Sequence, residues 1–172
     1  MSTTAISLRK FLSSAGLVLA LAAPSEASPD PLERTAKRQP ALILARALVA
    51  EAGYTPQTDH PAILHVLRRR SHRKDAVGDA LLAIRYCSVF HAGVSTPQTD
   101  ALRHASLEYL RLNAPDVVML AEQWVAGVSM EDPCHGAAIH WGSPEDIARK
   151  AISVRSHVAC GETLNIFLRS WH

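Results

Sequence analysis

The sequence predicts a mainly helical (α+β) domain with a small irregular or β element near its C-terminus. Three observations carry this. Apolar residues recur at helical spacing from residue 41 to residue 125, Gly and Pro punctuate that region at intervals of a short helix, and after residue 130 the pattern breaks into a loop rich in Pro and Gly. With 172 residues the chain suits one compact domain, and at 48% hydrophobic residues it can bury a core. Its formal charge of +2 is far from the basicity of a protein that lives on nucleic acid, so no nucleic-acid partner is expected.

The elements follow in order. Arg9 and Lys10 precede an uncharged stretch over 11–23, and Ser25-Glu26-Ala27 offers small residues for cleavage. This reads as a secretory signal peptide over 1–27. The apolar core of about 13 residues is shorter than the ~20 needed to span a bilayer as a helix, and no integral membrane span is expected after cleavage. The expected destination is the periplasm or beyond. Residues 28–40, with Pro29, Pro31 and Pro40 among charges, read as a linker, and 41–172 as a single domain. A first helix covers 41–52 and stops at Gly53 and Pro56. A second, capped by Thr58 or Asp59 with Pro61 in its first turn, runs through Ile63, Val66 and Leu67 to about Arg70. A third covers 75–89. A fourth is capped by Thr99 or Asp100 and turns Leu102, Leu107 and Leu110 inward, and a fifth starts at Pro115 and ends at Gly127. Residues 130–142 read as loop with one strand, Ser143-Pro144-Glu145-Asp146 as a helix start, and 163–171 as a short strand.

Export changes the reading of the three cysteines, because an oxidising compartment lets thiols pair. Cys134 and Cys160 stand in turn-like contexts and are the expected disulfide, whereas Cys87 lies in an apolar run and reads as a small buried hydrophobe. As a nucleophile Cys87 has no nearby base in sequence except His91.

One acid is oddly placed. Leu44, Leu48 and Glu51 are spaced i, i+4 and i+7, so the carboxyl group shares the face of two leucines and stands in the last turn, where the helix dipole is negative. Desolvation and the dipole both disfavour the ionised form. A carboxyl group kept protonated near neutral pH is what protonation of a glycosidic oxygen requires, which makes Glu51 the candidate general acid.

The segment Leu44-Ala45-Arg46-Ala47-Leu48-Val49-Ala50-Glu51-Ala52-Gly53, followed by the apolar helix 62–70, resembles the opening of bacterial cell wall hydrolases of the spore-cortex-lytic type. In that family a helix ending in Glu-Ala is followed by a second helix that closes on Asn-Arg. More loosely, residues 121–127 and Asp132-Pro133-Cys134-His135-Gly136-Ala137 are similar to the family's later helix and Asp-Pro turn. The resemblance implies a lysozyme-like fold, peptidoglycan as substrate, glycan-strand hydrolysis or lytic transglycosylation, and Glu51 as the acid. The chain departs from the pattern in two places: Tyr54-Thr55-Pro56 and Thr58-Asp59-His60-Pro61 replace a second acid and a Gly-Gln, and Arg69-Arg70 stands for Asn-Arg. An alternative is a non-catalytic envelope protein that keeps the scaffold.

If a second carboxylate takes part, Asp59 and Asp132 are the candidates, roughly 5 to 9 Å from the first depending on stereochemistry. Tyr54 and Trp141 offer ring faces that match a pyranose, with core packing as the plainer alternative. Tyr54, Asp59, Asp132 and Trp141 therefore form the expected substrate-binding set. No cofactor is expected. His60, His135 and His140 with Asp132 and Glu51 raise a zinc-dependent hydrolase as a third alternative, though no HExxH-like spacing occurs and no metal site is assigned. The run Arg68-Arg69-Arg70-Ser71-His72-Arg73-Lys74 suits either an anionic envelope polymer or a solvated helix end.

Overall fold

The computed structural model describes residues 30–91, 93, 96–150 and 154–170. The proposed signal peptide at 1–27, the start of the expected linker and Trp171 lie outside the described residues. Among these residues, eight α-helices and a three-stranded antiparallel sheet form a mainly helical protein with a small β element.

Part of the expected linker is a helix. Pro31–Arg38 (α1) is capped by Asp30, whose carboxylate accepts the Leu32 amide at 2.8 Å. Its Ala36 is buried in the core, so the domain begins ahead of residue 41. Prolines mislead here because one of them sits at the first helical position, where its missing N–H costs nothing.

Pro40–Ala52 (α2) is the central helix, with Leu42 to Val49 buried on all sides, Arg46 included. A helix apolar around its whole circumference belongs inside a domain. It packs against Ala76–Tyr86 (α4) and Pro115–Val125 (α7). Gly53, at φ +90°, ends α2 and donates its amide to the Val49 carbonyl at 2.9 Å. Only glycine adopts that backbone without strain. The Gly53 carbonyl in turn accepts from His60 Nε2 at 3.1 Å, which fixes the turn into Asp59–Arg70 (α3). Asp59 is the first residue of α3 rather than its cap, and its side chain is fully buried.

Two expected helices are shorter than the periodicity suggests. The third ends at Tyr86 instead of residue 89, because Cys87 turns extended and Ser88–Phe90 forms a 3-10 turn that releases Ser88 toward Glu51. The fourth divides into Pro97–His104 (α5) and Leu107–Asn113 (α6). Thr96, not Thr99 or Asp100, caps α5 through a reciprocal bond with Thr99, and Ser106 caps α6 by accepting from Tyr109 N at 3.0 Å. The Ala105 carbonyl freed at the break accepts two bonds, at 2.9 and 2.5 Å, from buried Arg46.

The sheet comprises His140–Gly142 (β1), His157–Val158 (β2) and Ile166–Leu168 (β3), in the order β1-β3-β2. Trp141 pairs with Phe167, and Phe167 with Val158. The tail strand is thus central, and shorter than the 163–171 expected. Pro144–Arg149 (α8) follows β1 and is capped by Ser143 as its sequence implies.

The basic run is largely internal fastening. Arg68 donates to fully buried Asp79 at 2.7 Å and lies over the Trp124 ring at 4.7 Å, while Trp124 Nε1 donates to the same carboxylate at 2.8 Å. Arg69 bonds Asp132 and the Ala138 carbonyl, and Lys74 reaches the Arg68 and Arg69 carbonyls that end α3. Gly78 permits this turn, since a Cβ there would lie 2.3 Å from Ser71 Oγ and 2.6 Å from Arg73 Cβ.

Removing one member of the buried Asp79 set leaves its donors without a partner. Asp79→Ala is expected to cost about 3 kcal/mol in urea unfolding; a loss under ~1 kcal/mol contradicts the network. The disulfide Cys134–Cys160 is present with a sequence separation of 26, and Cys87 is free and buried. Labelling the unfolded, unreduced protein is accordingly expected to count one thiol, and three would refute the pairing.

Candidate active site

Glu51 stands in the last turn of α2, on the face of fully buried Leu44 and Leu48. Glu51 lines a cavity of about 420 Å³. Ser88, Trp141, Arg70, Tyr86, Asp146 and Asn165 share its wall. The carboxyl group is gripped at both oxygens. Oε1 accepts from the Ser88 amide at 3.2 Å with Ser88 Oγ at 3.4 Å, and Oε2 accepts from Trp141 Nε1 at 3.1 Å.

Two influences compete for its proton. Burial disfavours the charged form and is the largest effect; the Trp141 and Ser88 donors favour the carboxylate, and the charge of Asp146 opposes it again. Burial wins, and the pKa lies above its ordinary value of 4.5. The result is an acid that still holds its proton where a surface glutamate has lost it, with donors ready for the carboxylate it becomes.

A buried knot sets this geometry. Asp59 accepts the Leu164 amide at 2.8 Å, the Asn165 amide at 2.7 Å and Asn165 Nδ2 at 2.8 Å. Asn165 Nδ2 also donates to the Glu51 carbonyl at 2.9 Å. The start of β3 is thereby tied to the end of α2, and β3 holds β1, which carries Trp141.

Of the residues expected at the site, Glu51 and Trp141 come together and the others do not. Asp59 is sealed from solvent and ties the chain. Asp132 closes its own loop, accepting from Cys134 N at 3.0 Å, Gly136 N at 2.7 Å and Arg69. Burial pushes the Asp132 carboxyl upward, but these donors together outweigh it and hold the pKa below the usual range. Tyr54 is half-buried against Tyr109, its phenol pushed up by burial and by that neighbour, away from the Glu51 cavity. The carboxylate that shares the cavity is instead Asp146, in the first turn of α8. Its Ser-Pro-Glu-Asp context signalled a helix start, not a site. Ser88 and Asn165 carried no signal in sequence, because their roles arise from contacts 37 and 114 residues away.

The zinc alternative loses its geometric basis. Among the described residues no group of three or more His, Cys, Asp or Glu could hold a metal ion. His60 is buried in the α2–α3 turn and bonded to Gln57 N and the Gly53 carbonyl, His135 is exposed at φ +49°, and His140 meets Arg70. Cys87 is inert for a related reason: burial, and then the charge of Glu51, push its thiol well up, while His91 bonds the Arg85 carbonyl.

Neither a family model, nor a curated protein, nor a solved structure matches the chain.

A raised folded-state pKa means that the folded protein binds this proton more tightly than the unfolded chain. The contribution of Glu51 to stability is therefore full below about pH 4.5 and falls as pH climbs through its folded pKa. Wild type is expected to lose stability relative to Glu51→Gln as the pH rises above about 4.5, and the opposite slope would refute the assignment. In a carboxyl-carbon NMR titration Glu51 is expected above 4.5, and Trp141→Phe, which removes a donor to the carboxylate, should move it higher still.

Proposed function

We propose that the protein is an exported, lysozyme-like enzyme that cleaves the glycan strand of peptidoglycan, with Glu51 as the general acid. The observation that carries this reading is a half-buried carboxyl group, its pKa raised, on the wall of an open cavity beside an indole ring. The export signal and the family resemblance around residues 44–70 supply the substrate class. Among the described residues no helix is long and apolar enough to cross a membrane.

In the proposed reaction the Glu51 proton passes to the oxygen between two amino sugars as the C1–O bond breaks. The carboxylate that remains is stabilised by the Trp141 indole N–H and the Ser88 amide, which already point at it. Asp146 lines the same cavity, with its carboxylate paired to Arg149. Water, or a hydroxyl of the same sugar, then attacks C1 and returns a proton to Glu51. A carboxyl group doing this work contributes about 10²- to 10⁴-fold in rate.

The test is digestion of purified sacculi by wild type and Glu51→Gln, with released muropeptides resolved by mass. Release by wild type at least about a hundredfold above the variant is expected. Equal release rejects Glu51 as the acid, and none from either rejects turnover and leaves the non-catalytic scaffold. The mass of the product end, hydrated or anhydro, tells hydrolysis from transglycosylation.

A further inference from the structure

Ahead of Glu51 the central helix carries a single charge, on Arg46, and that residue is only 8% exposed. A buried cation is costly unless an anion neutralises it. Here the partner is neutral. Nε and Nη2 both donate to the Ala105 carbonyl, at 2.9 and 2.5 Å, and among the described residues Arg46 pairs with no carboxylate. Burial lowers its pKa, and no acid works against that shift. Of the five guanidinium N–H groups two serve Ala105, and the others meet no protein acceptor among the described residues.

Arg46 lines a cavity of about 400 Å³ whose other wall is α1. Arg34 and Arg38 stand one turn apart on that wall, beside Thr35, and both are exposed. Arg38, in the last turn of α1, pairs with no carboxylate among the described residues. The acids of this stretch, Asp30 and Glu33, do not line the cavity, and Asp30 is occupied with the Leu32 amide. Two helices thus bring arginines to one cavity that no acid lines, an arrangement that like-charge repulsion disfavours until an anion enters.

The geometry narrows the anion. One guanidinium fork already satisfies a planar carboxylate, whereas a phosphate, with close to two negative charges near neutral pH and oxygens in a tetrahedral arrangement, accepts forks arriving from two helices at once. A flat anionic membrane reaches exposed Arg34 and Arg38 but not recessed Arg46. We propose that the cleft between α1 and α2 binds a soluble phosphate-bearing ligand, with Arg46 as the recessed anchor and Arg38 as the second contact. This cavity shares no residue with the one at Glu51, so the site stands or falls independently of the glycan reading.

The probe is inorganic phosphate, titrated into the full-length protein against sodium chloride of equal ionic strength and read from the Thr35 and Gln39 amide signals. Two charge-assisted contacts lead to an expected Kd of about 1 mM or tighter. Arg38→Gln removes an exposed side chain and is expected to weaken binding at least about tenfold, and Arg46→Gln more. Because Arg46 also holds Ala105, an unchanged thermal melt must accompany its variant, and where it fails to fold Arg38→Gln decides. Arg85→Gln, which removes an exposed charge outside this cavity, should bind phosphate like wild type. No shift beyond that of chloride up to about 20 mM overturns the site. So does wild-type affinity in Arg38→Gln, or equal weakening by Arg38→Gln and Arg85→Gln. Cosedimentation of wild type and Arg46→Gln alike with phosphatidylglycerol vesicles, with no response to free phosphate, identifies a membrane-facing patch and overturns it as well.

Discussion

The carboxylate of Asp59 ties the start of α3 to the segment that leads into β3. It is fully buried and accepts three N–H bonds from Leu164 and Asn165, more than a hundred residues away in sequence. A buried charge is costly unless its lone pairs are filled, and here the tail fills them. That need brings the start of β3 against the end of α2, where Asn165 also binds the Glu51 carbonyl. Because β3 is the central strand, β1 and Trp141 follow it into place. The position of the indole over the acid is thus a consequence of satisfying a different acid.

Glu51 shows the same economy in reverse. Its lone pairs are partly filled, by an indole, an amide and a hydroxyl, but by no cation. Without a cation the hydrogen bonds do not outweigh desolvation, and the proton stays. Asp132 marks the other outcome: less deeply buried, with two amides and Arg69, it is driven toward the carboxylate. Two acids of similar chemistry are separated by depth of burial and by the backbone amides each accepts, with Arg69 adding to the second. The arginines of α3 divide between these places: Arg69 is committed to Asp132, and Arg70 lines the cavity, held by Tyr86 and His140.

Much of the fold was legible because it depends on local rules. The boundaries of α2, α3 and α7 and the start of α8 follow from Pro, Gly and cap residues, and the face of Glu51 follows from its spacing to Leu44 and Leu48. Errors arose where a distant partner overrode the local pattern. The fourth helix divides at Ala105, whose carbonyl serves Arg46, and the third stops at Cys87, after which Ser88 serves Glu51. The residues at 31–38 read as linker because their prolines and charges hide the burial of Ala36. Trp141 was legible as an aromatic near a turn; its partner Asp146 and the brace Asn165 were not.

By itself the sequence determined a mainly helical protein with a short β tail, a bridge between two cysteines in turns, and one glutamate on an apolar helix face. These follow from periodicity, punctuation and side-chain chemistry, which act over a few residues. Tertiary structure alone decided that Asp59 and Asp132 are fasteners, that Asp146 and Arg70 line the cavity, and that most of the basic run bonds to the protein's own groups. Those outcomes depend on which charges find partners across the fold, because the cost of burying an unpaired charge is settled only when all the elements meet.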